Sequence, residues 1–74
     1  MEFIGEYLKN IRIQKNYKLS YIAAELNISE SVLNSIEDDN FPDYIDHVFL
    51  IGHIRSYAKY LDLNEEVIIE NFKI

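Results

Sequence analysis

The sequence predicts an all-α fold, a five-helix bundle forming a single domain over residues 1–74. Three observations predict it. Hydrophobic residues make up 49% of the chain, enough for one core, while only two glycines and one proline interrupt it. The apolar residues recur every three or four positions, which places them on one face of a helix. Cysteine is absent, so packing rather than disulfides or thiolate metal sites must stabilise the fold.

The first helix is predicted over residues 3–15, where apolar side chains recur at helical spacing. They are Ile4, Leu8 and Ile11. A neighbouring stripe of this helix is basic and carries Lys9, Arg12 and Lys15. After a polar break, a second short helix is predicted over residues 19–26, and Asn27 can take the left-handed conformation that ends it.

The third helix is predicted to begin after Ser29, a favourable N-cap residue, and to end in the acidic turn of residues 38–40. Its apolar face consists of Val32, Leu33 and Ile36. Residues 40–46 contain the one proline and are predicted to form a loop.

The fourth helix, over residues 47–61, is predicted to be the longest. At about 100° per residue, one arc of it is apolar and predicts a core face. This arc consists of His47, Leu50, Ile51, Ile54, Tyr57, Ala58 and Leu61. Asn64 is then expected to cap a fifth helix, in which Glu65 and Glu66 favour the first turn and three apolar residues cover the bundle. These three are Val67, Ile68 and Phe72.

The charge balance restricts the classes of function. Thirteen acidic residues against seven basic ones give a net charge of −6, the wrong sign for a protein that gains affinity by neutralising phosphates. No apolar run approaches the roughly 20 residues that cross a bilayer, and the N-terminus does not resemble a signal peptide. The chain is therefore expected to be soluble and cytoplasmic.

Residues 19–39, "LSYIAAELNISESVLNSIEDD", have the arrangement of a helix-turn-helix, with two short helices joined by the tight "LNIS" turn. The segment resembles the lambda-repressor-like (XRE-type) pattern at Ile22, Ala23, Leu26, Ile28, Ser29, Leu33, Ile36 and Glu37. These positions specify the fold more than an activity.

The following segment, "HIRSYAKYLDLNEE" after "IEDDNF", resembles the cytoplasmic domain of the RodZ family of bacterial cell-shape proteins. Its most distinctive positions are Arg55, Ser56, Tyr57, Ala58, Leu61 and Leu63, and the resemblance extends from Gly5 to Phe72. It implies an adaptor whose partner is the actin-like filament protein MreB. It also implies attachment to the cytoplasmic face of the inner membrane through a transmembrane helix beyond this domain, which the present chain does not contain.

A second stripe of the fourth helix is the predicted contact site, and it consists of Phe49, His53, Ser56 and Tyr60. Either the fifth helix or the 40–46 loop covers this stripe, or it stays exposed as an aromatic patch typical of protein contacts. The RodZ resemblance implies that aromatic side chains near the helix start contact MreB; Phe49 matches, whereas His53 replaces an aromatic residue. Arg55 and Lys59 are either steering charges for that partner or solvated surface residues.

The alternative function is a DNA-binding transcriptional regulator. In it, Glu30, Ser31, Asn34 and Ser35 would read bases, while Lys9, Arg12, Lys15 and Lys18 would contact phosphates. Four acids and no base on or just after the third helix argue against this role, and they are Glu30, Glu37, Asp38 and Asp39. A third alternative is a dimerisation module that uses the aromatic stripe.

Catalysis and metal binding are not predicted. His47 and His53 lie six residues apart on one helix and diverge by more than 100°, too far for joint ligation of a metal. No serine has a histidine and a carboxylate at motif spacing, and no glycine-rich loop is present. The sequence therefore predicts a non-enzymatic protein without a cofactor.

Overall fold

The computed structural model describes residues 4–72 and contains, over that range, five helices and no strand. They are α1 (Ile4–Gln14), α2 (Leu19–Leu26), α3 (Glu30–Glu37), α4 (His47–Tyr60) and α5 (Glu65–Asn71). The predicted all-α bundle is confirmed, with helix bounds within two residues of those expected. Phe3, the expected start of the first helix, lies outside the described residues.

A single core joins all five helices. Its most deeply buried side chains are Leu8, Ile22, Leu33, Ile36, Ile54, Tyr57 and Leu61. These come from the apolar faces predicted for α1 to α4, and Ile68 and Phe72 close the core from the α5 end. Burial of these faces supplies the main stabilising free energy, because short isolated helices are marginal in water.

Two of the predicted helix ends are confirmed by their backbone geometry. Asn27 adopts the left-handed conformation (φ 55°), and its N–H is donated to carbonyls of the last turn of α2. Asn64 caps α5, since its side-chain oxygen accepts hydrogen bonds from the backbone N–H groups of Glu66 (3.1 Å) and Val67 (3.2 Å). Ser29 occupies the N-cap position of α3, but its hydroxyl pairs with the Ser31 hydroxyl at 2.8 Å instead of capping the backbone.

Two residues assigned to the core from periodicity are exposed. His47 is the first residue of α4 and lies in solvent, because the start of this helix extends past the elements that pack on it. Val67 on α5 is 51% exposed, since only the side of α5 that carries Ile68 packs against the bundle. Periodicity gives the angle of a side chain around the helix but not the point where the neighbouring elements stop.

The N-terminus of α1 packs directly on the C-terminal end of α3. A Cβ atom on Gly5 would collide with the Ile36 carbonyl oxygen and lie 2.8 Å from that of Glu37, so this contact requires glycine. The Gly5 N–H is donated to Asp39 Oδ1 at 3.0 Å. Asp39 thus satisfies an otherwise unpaired donor of the first helical turn, at the helix end where negative charge is favourable.

Between residues 4 and 72, no helix combines the length and the apolar character needed to traverse a lipid bilayer.

Candidate functional site

The outer face of α4 is the side of the helix opposite the core. At about 100° per residue it comprises seven residues within one arc. They are Val48, Phe49, Gly52, His53, Ser56, Lys59 and Tyr60. The face includes the whole predicted aromatic stripe, so the structure places Phe49, His53, Ser56 and Tyr60 together as expected.

The N-terminal half of the outer face is open and apolar. Val48 is 78% exposed and Phe49 is 61% exposed. Tyr44, in the turn just before the helix, is 78% exposed. We refer to Tyr44, Val48 and Phe49 together as the 44–49 surface. Two exposed acids, Asp43 and Asp46, lie in the same segment, so apolar side chains are bordered by negative charge.

The C-terminal half of the outer face is partly covered. Tyr60 packs edge-on against Tyr17 of the α1–α2 loop, with ring centroids 5.6 Å apart and an interplanar angle of 75°. Desolvation, followed by the nearby Glu25 and Tyr17, raises the pKa of Tyr60. His53 and Ser56 are half-buried. The stripe is therefore most exposed at Phe49, and the aromatic contact at its other end comes from Tyr17 of the α1–α2 loop.

The two basic residues expected beside the stripe differ in their intramolecular pairing. The Arg55 guanidinium pairs with Glu66 and lies 3.9 Å from Glu65, both in the first turn of α5. Lys59 is exposed on the outer face itself. The Arg55 charge is thus balanced within the domain, and Lys59 is the basic group that the outer face offers to a partner.

A buried polar cluster holds the opposite side of α4 to two other helices. Glu37 of α3 is 3% exposed and accepts hydrogen bonds from Arg12 Nε (2.7 Å), from Arg12 Nη2 (3.1 Å) and from the Tyr57 hydroxyl. Arg12 Nη1 also donates to the Tyr17 carbonyl at 3.0 Å. The cluster joins α1, α3, α4 and the α1–α2 loop through charge-assisted hydrogen bonds.

The same cluster changes the protonation behaviour of its members. The hydrogen bond to Glu37 raises the pKa of Arg12 against the opposing effect of burial. Burial first, and then Glu37, raises the pKa of the Tyr57 hydroxyl far above its ordinary value. Tyr57 therefore remains a neutral donor, and Arg12 remains a cation, throughout the physiological range.

This cluster corrects two expectations from the sequence. Arg12 was expected on an open basic stripe, but its side chain is 13% exposed and committed to Glu37. Glu37 was expected among the acids that face a bound duplex, but its side chain is 1% exposed. The spacing of residues along each helix did not reveal the pair, because Arg12 and Glu37 are 25 positions apart.

The outward side of α3 is polar and acidic. Glu30, Ser31 and Asn34 are exposed and line a shallow open groove together with Leu19 of α2. Ser35 is half-buried, and its hydroxyl donates to the Ser31 carbonyl at 2.9 Å. The expected base-reading residues therefore share one face, but Ser35 is already engaged with the helix backbone.

The three lysines of the expected phosphate-contacting set are all exposed. Lys9 lines a depression together with four acids, which are Glu6, Glu37, Asp38 and Asp39. Lys18 lies over the ring of Tyr21, 6.0 Å from its centroid. Lys9 thus lies among acidic side chains, and the Arg12 guanidinium is paired with Glu37 inside the domain.

A family model described as a helix-turn-helix domain matches residues 7–68, most of the chain. The chain belongs to the helix-turn-helix domain family. The match includes α2 and α3 and extends over α4 to the middle of α5, so the helix-turn-helix and its supporting helices are matched as one unit. No solved structure matches the chain.

The helix-turn-helix domain contains, within residues 4–72, no group of three or more histidine, aspartate or glutamate side chains arranged to hold a metal ion. Helix-turn-helix families act typically through binding rather than catalysis.

The sequence reasoning missed three residues of the candidate site, namely Tyr44, Val48 and Gly52. Val48 precedes Tyr57 by nine positions, which at about 100° per residue is two and a half turns. The two side chains therefore point to opposite sides of the helix, and the predicted core arc already implied that Val48 faces outward. Gly52 was identifiable as a glycine inside a predicted helix. Tyr44 lies in an irregular loop and carries no periodic signal.

Proposed function

We propose that this helix-turn-helix domain is a bacterial cell-shape adaptor that binds a filament of an MreB-like actin homologue through the 44–49 surface. The observation that carries the proposal is the exposure of Phe49, 61% of whose side chain faces solvent on a well-formed helix. Exposed aromatic and aliphatic side chains with a polar border have the composition of a protein contact site. The RodZ resemblance of residues 53–66 supports the same partner.

The charge distribution supports a protein partner over a nucleic acid. Exposed Glu30 and Asp38 lie at the two ends of α3, where a DNA-binding relative would need donors. Arg12 is neutralised by Glu37 inside the domain. With a net charge of −6, the counterion release that drives DNA binding is small.

The roles proposed for individual residues follow from their exposure. Phe49 is the anchor that inserts into a partner pocket, and His53 is a flanking contact one turn further along the helix. Tyr60 and Ser56 contribute at the edge, since Tyr60 already packs on Tyr17. Lys59 is the steering charge, whereas Arg55 acts chiefly on α5 because Glu65 and Glu66 hold it.

Co-sedimentation with polymerised MreB encoded by the same genome tests the proposal. Phe49→Ala is expected to raise the apparent Kd about 30-fold or more, the effect of a hot-spot side chain, without lowering the thermal midpoint appreciably. Val67→Ala is the matched control, because Val67 is another exposed apolar residue (51%) and lies on α5. Equal binding by the Phe49→Ala variant and the unaltered chain would refute the site.

DNA binding is the second candidate function, because it is the usual role of the family fold and because α3 exposes Ser31 and Asn34 beside three exposed lysines. In this role Asn34 would pair with an adenine and Lys15 and Lys18 would contact phosphates. A gel shift at low salt with a mixed-sequence duplex separates the candidates. Tight binding that survives competitor DNA favours this function, whereas no shift at micromolar protein favours the adaptor.

A further inference from the structure

The two glycines of the helix-turn-helix domain occupy opposite environments. A Cβ atom on Gly5 would collide with the backbone of α3, so the fold itself explains that glycine. A Cβ atom on Gly52 would meet no atom within 4 Å. Glycine is the least favourable residue in a helix interior after proline, and nothing inside the domain requires it at position 52.

Gly52 lies on the outer face of α4 between the side chains that form the 44–49 surface. It is one turn after Val48 and three residues after Phe49, and its angular position falls between theirs. The absent side chain leaves the helix backbone accessible at the centre of the most exposed apolar part of the helix. Small residues at this kind of position allow a second backbone to approach closely.

We propose that a helix or strand of the filament partner crosses α4 at Gly52 in close backbone contact, with its apolar side chains against Val48 and Phe49. This inference rests on the proposed function and specifies how the partner is seated. It assigns to Gly52 a binding role, since the residue costs helix stability although the domain has room for a side chain there.

The acids beside this contact define the chemistry of the partner. Asp43 and Asp46 are exposed directly before α4, and no basic side chain of residues 4–72 forms an ion pair with either. A partner that offers one or more lysines or arginines beside its apolar contact complements them. In a two-fold contact centred on the 44–49 surface, a second copy of this chain offers Asp43 and Asp46 again and no lysine or arginine from that segment.

Gly52→Ala tests the close approach, because it separates stability from binding. The added methyl group has free space and improves helix propensity, so the thermal midpoint is expected to rise by about 2–6 °C. In the same protein, the apparent Kd for polymerised MreB is expected to increase about tenfold or more, because the methyl group occupies the contact. A structural role for Gly52 would instead lower the thermal midpoint.

Asn10→Ala is the matched control. Asn10 is exposed on α1, and alanine there also improves helix propensity without touching the outer face of α4. Its thermal midpoint is expected to rise while its co-sedimentation with MreB stays at the level of the unaltered chain. If Asn10→Ala and Gly52→Ala weaken binding equally, stiffening of the helices rather than occupancy of the contact explains the loss, and the inference fails.

The outcomes for the proposed function and for this inference are distinct. If the unaltered chain does not pellet with MreB filaments, the proposed function fails and this inference fails with it. If the unaltered chain binds and Gly52→Ala binds equally well, only the close approach at Gly52 is overturned. Binding that weakens in Gly52→Ala and in Phe49→Ala but not in Asn10→Ala supports both.

The charge of the partner is tested with Asp46→Asn, which keeps a residue suited to the N-cap of α4. Binding is expected to weaken at low salt and to become less sensitive to added salt. Unchanged salt sensitivity would overturn the basic partner surface. Light scattering of the chain alone at the same concentration is expected to show a monomer. A dimer that Phe49→Ala dissociates would mean that a second copy of the chain, and not the filament, occupies the 44–49 surface.

Discussion

The two halves of α4 place their aromatic residues in opposite surroundings. Toward the C-terminus, Tyr57 is fully buried and bonded to Glu37, and Tyr60 packs on Tyr17. Toward the N-terminus, Phe49 stands 61% exposed, although phenylalanine is the more hydrophobic side chain. On the outer face of the helix, Tyr17 covers Tyr60 near the C-terminal end, whereas Phe49 near the N-terminal end stays open.

Under the proposed function, one helix combines a structural half with a binding half. The structural half, toward the C-terminus, requires shape complementarity and satisfied polar groups, because a buried charge without its partners is costly. The second requires exposed apolar area, which adds little to the stability of the free domain. Substitutions in the two halves should therefore separate unfolding free energy from affinity.

The largest loss of stability is expected from Glu37→Ala. Removing this carboxylate leaves the Arg12 guanidinium and the Tyr57 hydroxyl without their shared partner, and breaking a buried ion pair from one side costs about 3–5 kcal/mol of unfolding free energy. Urea denaturation followed by circular dichroism measures it. Glu30→Ala on the exposed side of α3 is the control, with an expected change within about 0.5 kcal/mol. Equal midpoints for the two variants would show that the cluster does not stabilise the fold.

Tyr57→Phe is expected to cost less, about 1.5–3 kcal/mol, the range for a hydrogen bond to a charged group. The variant keeps the ring in the core and removes only the hydroxyl. Chemical denaturation at neutral pH gives the value. A loss below about 0.5 kcal/mol would mean that this hydrogen bond is energetically neutral.

The same tyrosine predicts sensitivity to alkali. The fold raises the pKa of Tyr57 above its ordinary value of 10.0, so above that pH the unfolded chain releases a proton that the folded chain retains. The stabilisation is complete below pH 10 and is lost progressively as pH rises further. Denaturation midpoints from pH 9 to 11.5 are therefore expected to fall more steeply for the unaltered chain than for Tyr57→Phe. Parallel curves would contradict this origin.

The smallest losses of unfolding free energy are expected from substitutions of Tyr60 and Phe49 on the outer face of α4. Tyr60→Ala loses an edge-on aromatic contact and should cost about 0.5–1.5 kcal/mol beyond its buried area. Phe49→Ala should change the unfolding free energy by about 0.5 kcal/mol or less. Thermal scans of the pair test the assignment of the two halves. A Phe49→Ala variant less stable than the Tyr60→Ala variant would contradict this assignment.

Most of the fold followed from periodicity and from residues that end helices. The arc of Leu50, Ile54, Tyr57 and Leu61 is the buried face of α4, and Asn27 and Asn64 end and begin helices as predicted. These features depend on neighbours in sequence, which a sequence displays directly.

The candidate site was only partly predictable because coverage depends on tertiary placement. Periodicity placed Phe49 and Tyr60 on the same stripe but did not indicate that Tyr17 covers one and leaves the other exposed. It did not pair Arg12 with Glu37 or Arg55 with Glu66, since each pair joins different helices. Residues 44–46 lie in a loop, where no repeat predicts exposure.

The cluster of Glu37, Arg12 and Tyr57 also has a mechanical consequence. In the proposed adaptor, a filament bound at Phe49 applies its load to one end of α4. The hydrogen bond from Tyr57 to Glu37 passes that load to α3, and the ion pair of Glu37 with Arg12 passes it to α1. The domain then resists traction as a unit, because α4 cannot peel away without separating the Tyr57 hydroxyl from the Glu37 carboxylate. A domain that receives the load of a bound partner at one end of a helix needs this kind of anchorage at the other end.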